Sequence, residues 1–396
     1  MNRWYCSVCH EIFNSEDKPD TCEVCHADDR MIMNMEEIPQ SLEQVRDLAR
    51  KKLKGICAAY PSCDGSFDKI CQRELYGKPI GLGGVGQGRS FRANAEALAD
   101  IQLNMSVLGN HFEPDTSCSF LGIDLEFPVL ASSTAGVQKY NDALDETMFC
   151  TSVLKGSKEA GTIGLRGDTW FYTPEDNPSL NAMKACDGYG IPIFKPRSQD
   201  VLKNLIGKAE KYGCKAFGID LDGCGSTIMA LHGQPVFKKS VKDIEELVNF
   251  TTLPFIAKGI MIPEEALKCA DAGASVIAVS NHGGRVLDST PGVATLLPLI
   301  RKKLGDSVTI TADGGVRTGY DVLKMLALGA DAVFLGRDII RAAVGAGTLG
   351  VKLHLEHIKK TLKKAMFMTG TKNIKRADLK ILFKHNRTME EKWEKY

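Results

Sequence analysis

The chain has 396 residues, of which 43% are hydrophobic and 25% charged, a composition typical of a folded globular protein with a sizeable core. A formal net charge of +1 argues against an extended nucleic-acid-binding surface, and no apolar run approaches the roughly 18 residues of a membrane span. The first residues carry no apolar signal-peptide core, so we expect a cytoplasmic protein whose 13 cysteines bind metal where they cluster, rather than form disulfides.

Two C-x-x-C pairs define residues 1–37 as a small metal domain. The four cysteines are Cys6, Cys9, Cys22 and Cys25. Their spacing brings four thiolates to one tetrahedral metal ion and does not separate iron from zinc. Trp4-Tyr5 before the first pair and Pro19 before the second resemble the rubredoxin-like domains of rubrerythrins. That resemblance implies one iron that carries one electron, with zinc as the alternative.

A histidine follows each cysteine pair. His10 and His26 therefore also complete C-x-x-C-H, the attachment sequence of c-type haem, whereas the rubredoxin pattern usually has glycine at both positions. Covalent haem attachment normally requires export, and two haems would crowd so short a segment. Iron is our prediction, and zinc and haem stay open as alternatives.

Residues 38–114 are predicted to form a linker segment. Residues 41–54 have the pattern of an amphipathic helix. Cys57, Cys63 and Cys71 follow, and we interpret them as free thiols, with a second metal or redox site as the alternative. Residues 81–88 match G-x-G-x-x-G, but a dinucleotide site also requires a preceding strand in a βαβ unit and an acidic residue about 20 positions further on, and the sequence has only a weak version of each. We interpret them as a flexible loop over the mouth of the next domain.

Eight short apolar runs recur from residue 128 onward, each followed by polar residues and a segment of helical periodicity. They span residues 128–132, 162–165, 192–195, 216–221, 254–258, 276–280, 309–312 and 332–335. Alternating buried strands and helices are typical of parallel βα units, and eight such units predict a TIM (β/α)8 barrel within residues 115–396. The active site of this fold lies at the carboxyl ends of the strands.

Charged side chains at or just after the ends of six runs are the candidate site residues. They are Lys195 and Arg197, Asp220 and Asp222, Lys258, His282 and Arg285, Asp313 and Arg317, and Arg337. A surface ion pair would explain any one of them, but the same feature on six strands indicates an active site. Barrels commonly bind phosphate at the ends of the last two strands, where this chain has glycines and arginines, so we predict a phosphorylated cofactor.

These strand ends resemble, in register, the signatures of the FMN-dependent 2-hydroxy-acid oxidase and dehydrogenase family. Members include glycolate oxidase, lactate oxidase and the flavocytochrome lactate dehydrogenases. The matching segments are residues 253–260, 280–288, 313–319 and 335–337. The resemblance implies FMN as the cofactor, oxidation of an L-2-hydroxy acid to the 2-oxo acid, and a homo-oligomer.

Carried over by position, the resemblance also implies roles for individual residues. His282 becomes the proton acceptor, Asp222 the carboxylate that orients it, Arg285 the clamp on the substrate carboxylate and Lys258 the cation beside the flavin. The residues expected to contact the cofactor are Ser133, Thr134, Lys195, Asp220, Lys258, Ser280, Asp313, Gly315, Arg317, Gly336 and Arg337.

The first half of the barrel departs from the family pattern. Lys195 and Arg197 stand where members carry Gln and Tyr, and a second substrate arginine expected shortly after Asp222 is missing. We interpret Arg197 as a replacement for that substrate contact. The alternative functions are other FMN-barrel chemistry, such as that of isopentenyl diphosphate isomerase or glutamate synthase, and non-catalytic electron transfer.

The fusion of the two domains predicts a route for electrons. A four-thiolate iron carries one electron at a time, so it would pass electrons singly from the flavin to an acceptor protein. We therefore expect the metal domain to lie near the barrel mouth. We expect neither a nucleic-acid nor a membrane partner.

Overall fold

The structure is a computed structural model that describes residues 2–54 and 83–383. The predictions for Cys57, Cys63 and Cys71, and the start of the glycine-rich run, lie outside the described residues. Within the described ranges, no helix combines the length and apolar character needed to cross a membrane.

A small antiparallel sheet forms the N-terminal domain. Its strands are β1 (Asn2–Cys6), β2 (Ile12–Ser15) and β3 (Ile32–Asn34), in the order β2-β1-β3. His10 and His26, which follow the cysteine pairs, have φ angles of 70° and 57°. Glycine adopts this left-handed backbone most easily, so the histidines keep the conformation that the usual glycine would have. His10 is held there by a hydrogen bond of 2.8 Å between its Nδ1 and the hydroxyl of Tyr5.

Eight parallel strands form the barrel, preceded by a hairpin of β4 (Cys118–Phe120) and β5 (Ile123–Leu125). The barrel strands are β6 (Val129–Ala131), β7 (Leu165–Arg166), β8 (Ile191–Phe194), β9 (Phe217–Asp220), β10 (Phe255–Ile260), β11 (Val276–Val279), β12 (Thr309–Ala312) and β13 (Ala332–Leu335). The sheet order is β6-β13-β12-β11-β10-β9-β8-β7, and a parallel bridge between Ala131 and Gly164 closes the ring between β6 and β7. The predicted TIM barrel is confirmed.

Two helices precede the barrel strands, and the others lie between or after the strands and cover the barrel. They are α1 (Leu42–Lys52), α2 (Arg89–Ala99), α3 (Glu146–Glu159), α4 (Pro178–Ala185), α5 (Gln199–Lys211), α6 (Thr227–Leu231), α7 (Val241–Phe250), α8 (Pro263–Asp271), α9 (Val293–Leu304), α10 (Gly319–Ala327) and α11 (Arg337–Thr369). Most residues of these strands are apolar, as expected for strands with both faces covered. Leu130, Leu165, Ile193, Ile256 and Val276 form part of the inner layer and are fully buried.

The N-terminal domain packs against a kink in α11. Ala346 and Gly347 leave helical geometry, and the N–H of Thr348 donates instead to the carbonyl of Ser7 at 2.9 Å. The Thr348 hydroxyl also donates to the carbonyl of Val8 at 2.8 Å. Gly347 has a φ of 53°, and a Cβ there would lie 2.6 Å from the Ser7 carbonyl oxygen. The position therefore requires glycine, and two hydrogen bonds to Thr348 join the domain to α11.

The first cysteine pair lies on the outer wall of the barrel, contrary to the expectation that it lies near the mouth. Nε2 of His10 lies 3.3 Å from Oε1 of Glu159, the last residue of α3. Because α3 runs antiparallel to the strands, its last residue is on the side opposite the mouth. Another edge of the domain reaches the mouth side, where the guanidinium of Arg30 lies 3.1 Å from the carboxylate of Asp142 in the loop after β6.

Candidate active site

A cavity of about 270 Å³ opens at the carboxyl ends of the barrel strands. Its size is close to the lower end of the roughly 300–1,000 Å³ that is usual for small-molecule sites. The predicted site residues that line it are Ser133, Thr134, Lys195, Lys258, His282, Arg285, Asp313, Gly315, Arg317, Gly336 and Arg337. The fold thus brings together side chains that are spread over about 200 positions of sequence, as parallel strand ends must.

His282 lies between a carboxylate and an ammonium group. Its Nδ1 is 3.0 and 3.2 Å from the two carboxylate oxygens of Asp222, and its Nε2 is 3.3 Å from Nζ of Lys195. An ammonium group can only donate hydrogen bonds, so Nε2 is the acceptor and the ring proton is on Nδ1, facing Asp222. This is the tautomer in which Nε2 carries a lone pair and can accept a proton.

Asp220 bridges two lysines behind the cavity wall. Its carboxylate accepts from Lys258 at 2.8 Å and from Lys195 at 3.0 Å, and its side chain is only 1% exposed. Burial alone would raise the pKa of Asp220, but the two ammonium groups hold it below its usual range. Burial alone would lower the pKa of Lys258, but the negative charge of Asp220 outweighs burial, so the pKa of Lys258 is raised. Asp220 and Lys258 therefore form a buried ion pair, and Lys195 shares the same carboxylate.

The ends of β12 and β13 carry an excess of positive charge. Arg337 donates to the carbonyls of Gly283 and Gly83 at 2.7 and 3.0 Å. Burial, and then the nearby cations Arg285 and Arg341, lower the pKa of Arg337 to about 9. A bound phosphate would offset both effects, because it supplies the negative charge that these guanidinium groups share. The charge pattern fits the phosphate end of a nucleotide cofactor.

Asp313 and Ser133, which line the cavity, each have a buried polar atom without a hydrogen-bond partner. One carboxylate oxygen of Asp313 has none, while the other accepts from the Ser280 hydroxyl at 2.8 Å, and burial raises the pKa of Asp313. The Ser133 hydroxyl is the second such atom. An unsatisfied acceptor deep in the wall suits a ligand with hydroxyl donors, such as the ribityl chain of FMN. The donor and acceptor set therefore fits FMN.

Four predicted site residues do not line the cavity. Asp220 and Asp222 stand behind the residues that do, and the hydroxyl of Ser280 is committed to Asp313 and to the backbone N–H of His282. The fourth residue is Arg197.

Arg197 is 3% exposed and forms a two-pronged contact with Asp168, at 2.9 and 2.8 Å, and also donates to the carbonyl of Tyr172. The geometry gives no support to its predicted contact with substrate.

Gly283 and Gly284, the two residues after His282, are glycines because of the groups that pack against them. A Cβ on Gly283 would lie 2.6 Å from the guanidinium of Arg337, and one on Gly284 would lie 2.4 Å from the backbone nitrogen of Phe91. The glycines admit Arg337 and the start of α2. The described part of the glycine-rich loop lies here too, where Val85 N–H donates to the Gly284 carbonyl at 2.8 Å.

Two buried side chains that sequence reasoning missed hold the turn after β6. Arg166 donates to the carbonyl of Ser132 at 2.6 Å, and Glu146 accepts from the N–H groups of Gly136 and Gln138 at 2.8 and 3.1 Å. A charged residue that ends an apolar run could have pointed to Arg166. Nothing in the sequence distinguishes Glu146.

The four predicted metal ligands converge. The sulfurs of Cys6 and Cys25 are 3.6 Å apart, those of Cys9 and Cys22 are 3.5 Å apart, and all four lie within 4.8 Å of one another. A tetrahedron with metal–sulfur bonds of about 2.3 Å has sulfur–sulfur edges of about 3.8 Å. The cluster therefore fits one metal ion bound by four thiolates, and its geometry serves iron and zinc equally.

Comparison with known proteins adds a family match. A family model described as FMN-dependent dehydrogenase matches residues 81–228 and 226–384. An L-lactate oxidase from Lacticaseibacillus rhamnosus is 29% identical over 329 residues, which cover 75% of this chain and 86% of that protein. A peroxisomal (S)-2-hydroxyacid oxidase from Arabidopsis thaliana is 30% identical over 327 residues, which cover 74% of this chain and 87% of that protein.

A solved structure of mandelate oxidase superposes with a TM-score of 0.68 at 25% identity, and the match covers 87% of this chain and 98% of the other. The family match contains every residue that lines the cavity and excludes the four-cysteine domain.

Proposed function

The chain belongs to the FMN-dependent dehydrogenase family, and from that premise we propose that it oxidises an L-2-hydroxy acid of the lactate or glycolate type to the 2-oxo acid. One observation carries the proposal. Asp222 contacts Nδ1 of His282, and His282 and Arg285 both line the cavity. A base oriented by a carboxylate, next to a guanidinium that can hold a second carboxylate, suits a substrate with adjacent hydroxyl and carboxylate groups.

FMN would supply, when bound, an acceptor for the 2-hydrogen and the two electrons of the substrate. Residues from four strand ends would hold it. Arg317, Gly336 and Arg337 would bind its phosphate and Asp313 a ribityl hydroxyl, while Ser133, Thr134 and Lys258 would border its ring system.

Residues of the chain itself would orient the substrate and accept the proton of its 2-hydroxyl group. Arg285 would bind the substrate carboxylate through its planar fork and turn the 2-hydroxyl towards His282. The lone pair on Nε2 of His282 would accept the hydroxyl proton. The carboxylate of Asp222, 3.0 Å from Nδ1, would stabilise the imidazolium that results and keep the ring in place.

Aromatic side chains restrict the entrance to this cavity. Trp170, on the loop after β7, lines the cavity and stacks on His232, which follows α6, with 3.9 Å between ring centroids. The loops after β7 and β9 therefore meet beside the substrate position, where they would limit access of water to the base.

We also propose that the four cysteines hold iron, which would supply one-electron chemistry between the cofactor and an acceptor protein. The fusion and the tetrahedral arrangement of the sulfurs support this role. Because the cysteines lie on the outer wall, an acceptor could dock there without competing with substrate at the mouth. Deletion of residues 1–35 is a poor test, since it removes the partner of the Thr348 N–H and uncovers buried side chains.

Two measurements test these proposals. The holoprotein, mixed anaerobically with L-lactate or glycolate, should lose its oxidised-flavin absorption, and Arg285→Lys should raise KM more than it lowers kcat. Cys9→Ser should abolish iron–thiolate absorption and slow reoxidation by a one-electron protein acceptor, without slowing reduction by substrate. Cys118→Ser, a partly buried cysteine outside the cluster, is the control. Zinc in the purified protein, with no band beyond flavin, would exclude the electron route.

A further inference from the structure

The ammonium group of Lys195 occupies the position next to Nε2 of His282 that the substrate hydroxyl needs. Lys195 lies 3.3 Å from Nε2 of His282, the nitrogen that must take the substrate proton. While the ammonium stays there, protonation of Nε2 would place two hydrogen-bond donors against each other. The base is therefore covered in the structure as it stands, and turnover requires Lys195 to move.

The charges around Lys195 indicate where it moves. Lys258 and Lys195 share the single carboxylate of Asp220, but they are not equivalent. The Lys258 side chain is 3% exposed, whereas that of Lys195 is 12% exposed and lines the cavity. Lys195 is thus the less enclosed of the two cations, and the one that can turn towards an anion in the cavity. Arg197, the other candidate for a second cation, is committed to Asp168.

We propose that Lys195 is the second cation of the substrate site and that the substrate's carboxylate uncovers the base. This rests on the proposed oxidation of a 2-hydroxy acid. The carboxylate held by Arg285 draws the Lys195 ammonium away from Nε2 through a charge-assisted hydrogen bond, and the neighbouring 2-hydroxyl takes its place on His282. A neutral analogue gives the ammonium no anion to follow, so the base stays covered. The pair of Lys195 and His282 thereby selects for acids over amides and esters.

The test is a comparison of two unreactive ligands that differ only in charge. The compound 2-hydroxy-2-methylpropanoate has no hydrogen on C2 and cannot be oxidised, and its amide is the neutral counterpart. Calorimetric titration of the holoprotein should show at least tenfold tighter binding of the acid than of the amide. In Lys195→Gln, binding of the acid should weaken by about 10- to 100-fold, the range of a lost charge-assisted hydrogen bond, while binding of the amide should change less than threefold.

Lys203→Gln is the matched control, because Lys203 is a partly exposed lysine that pairs with Glu246 on the outer helices. It should leave both affinities unchanged. Unchanged binding of the acid in Lys195→Gln, or equal weakening of acid and amide, would overturn the inference. So would a wild-type protein that binds the two ligands equally, a result that needs no variant to fold. Failure of every 2-hydroxy acid to reduce the flavin would count against the proposed function instead, because these titrations do not depend on turnover.

Discussion

Replacing Asp222 with Asn removes the charge next to His282 while keeping the size of the side chain. Two unit charges about 3 Å apart attract by about 5 kcal/mol at an effective dielectric constant of about 20. The side chains of His282 and Asp222 are 17% and 14% exposed, so solvent screens part of this attraction. Since about 1.4 kcal/mol corresponds to a tenfold change in rate, the structure predicts a loss of roughly 10²- to 10⁴-fold in proton removal.

The assay is anaerobic single-turnover reduction of the flavin at saturating substrate. Asp222 does not line the cavity, so Asp222→Asn should keep its full flavin content and show only the slower reduction. Asp306→Asn provides the control, because Asp306 is a fully exposed carboxylate on a distant turn. A reduction rate for Asp222→Asn within threefold of wild type would refute the assignment of Asp222 as the partner of the base.

Three further predictions concern the cofactor, the stability in acid, and the contact between the cysteine domain and α11. Arg337→Ala should raise the dissociation constant for FMN by about 10- to 100-fold in fluorescence titrations of the apoprotein, as expected for a lost charge-assisted hydrogen bond. Burial lowers the pKa of His354 to about 4 from 6.5, so on acidification the unfolded chain binds a proton before the folded chain does. The free energy of unfolding should therefore fall by up to about 3 kcal/mol between pH 6.5 and 4, and urea titrations of His354→Leu should lack that part of the fall. Gly347→Ala should cost about 1–3 kcal/mol in the same titrations, because its φ is 53° and its Cβ would meet Ser7, whereas Gly207→Ala in open space on α5 should stabilise by about 0.5–1 kcal/mol.

The barrel was predictable because its signal is local. Each strand is a short apolar run that ends in polar residues, and parallel topology then brings those ends together without further information. His282, Lys258, Asp313 and Arg337 could be placed at one mouth for this reason. The four cysteines converge for a similar reason, since a C-x-x-C turn determines the spacing within each pair.

The side-chain partners within the mouth were not predictable, because they depend on contacts between strands that are distant in sequence. Lys195 and Arg197 look equivalent in the sequence, two residues apart on one strand end. Asp168 from the neighbouring strand engages Arg197, while Asp220 leaves Lys195 on the cavity wall. The kink at Gly347 was not predictable either, because the Ser7 carbonyl that packs against this glycine lies in another domain.

The product of a single turnover shows whether this barrel oxidises a 2-hydroxy acid with His282 as the base. The purified holoprotein is mixed anaerobically with L-lactate, glycolate and larger L-2-hydroxy acids, and the 2-oxo acid formed in one turnover is counted per flavin. We predict one 2-oxo acid per flavin reduced for at least one substrate, and a rate at least about 100-fold lower in His282→Gln with its flavin retained. No 2-oxo acid from any substrate, or an undiminished rate in His282→Gln, would contradict it.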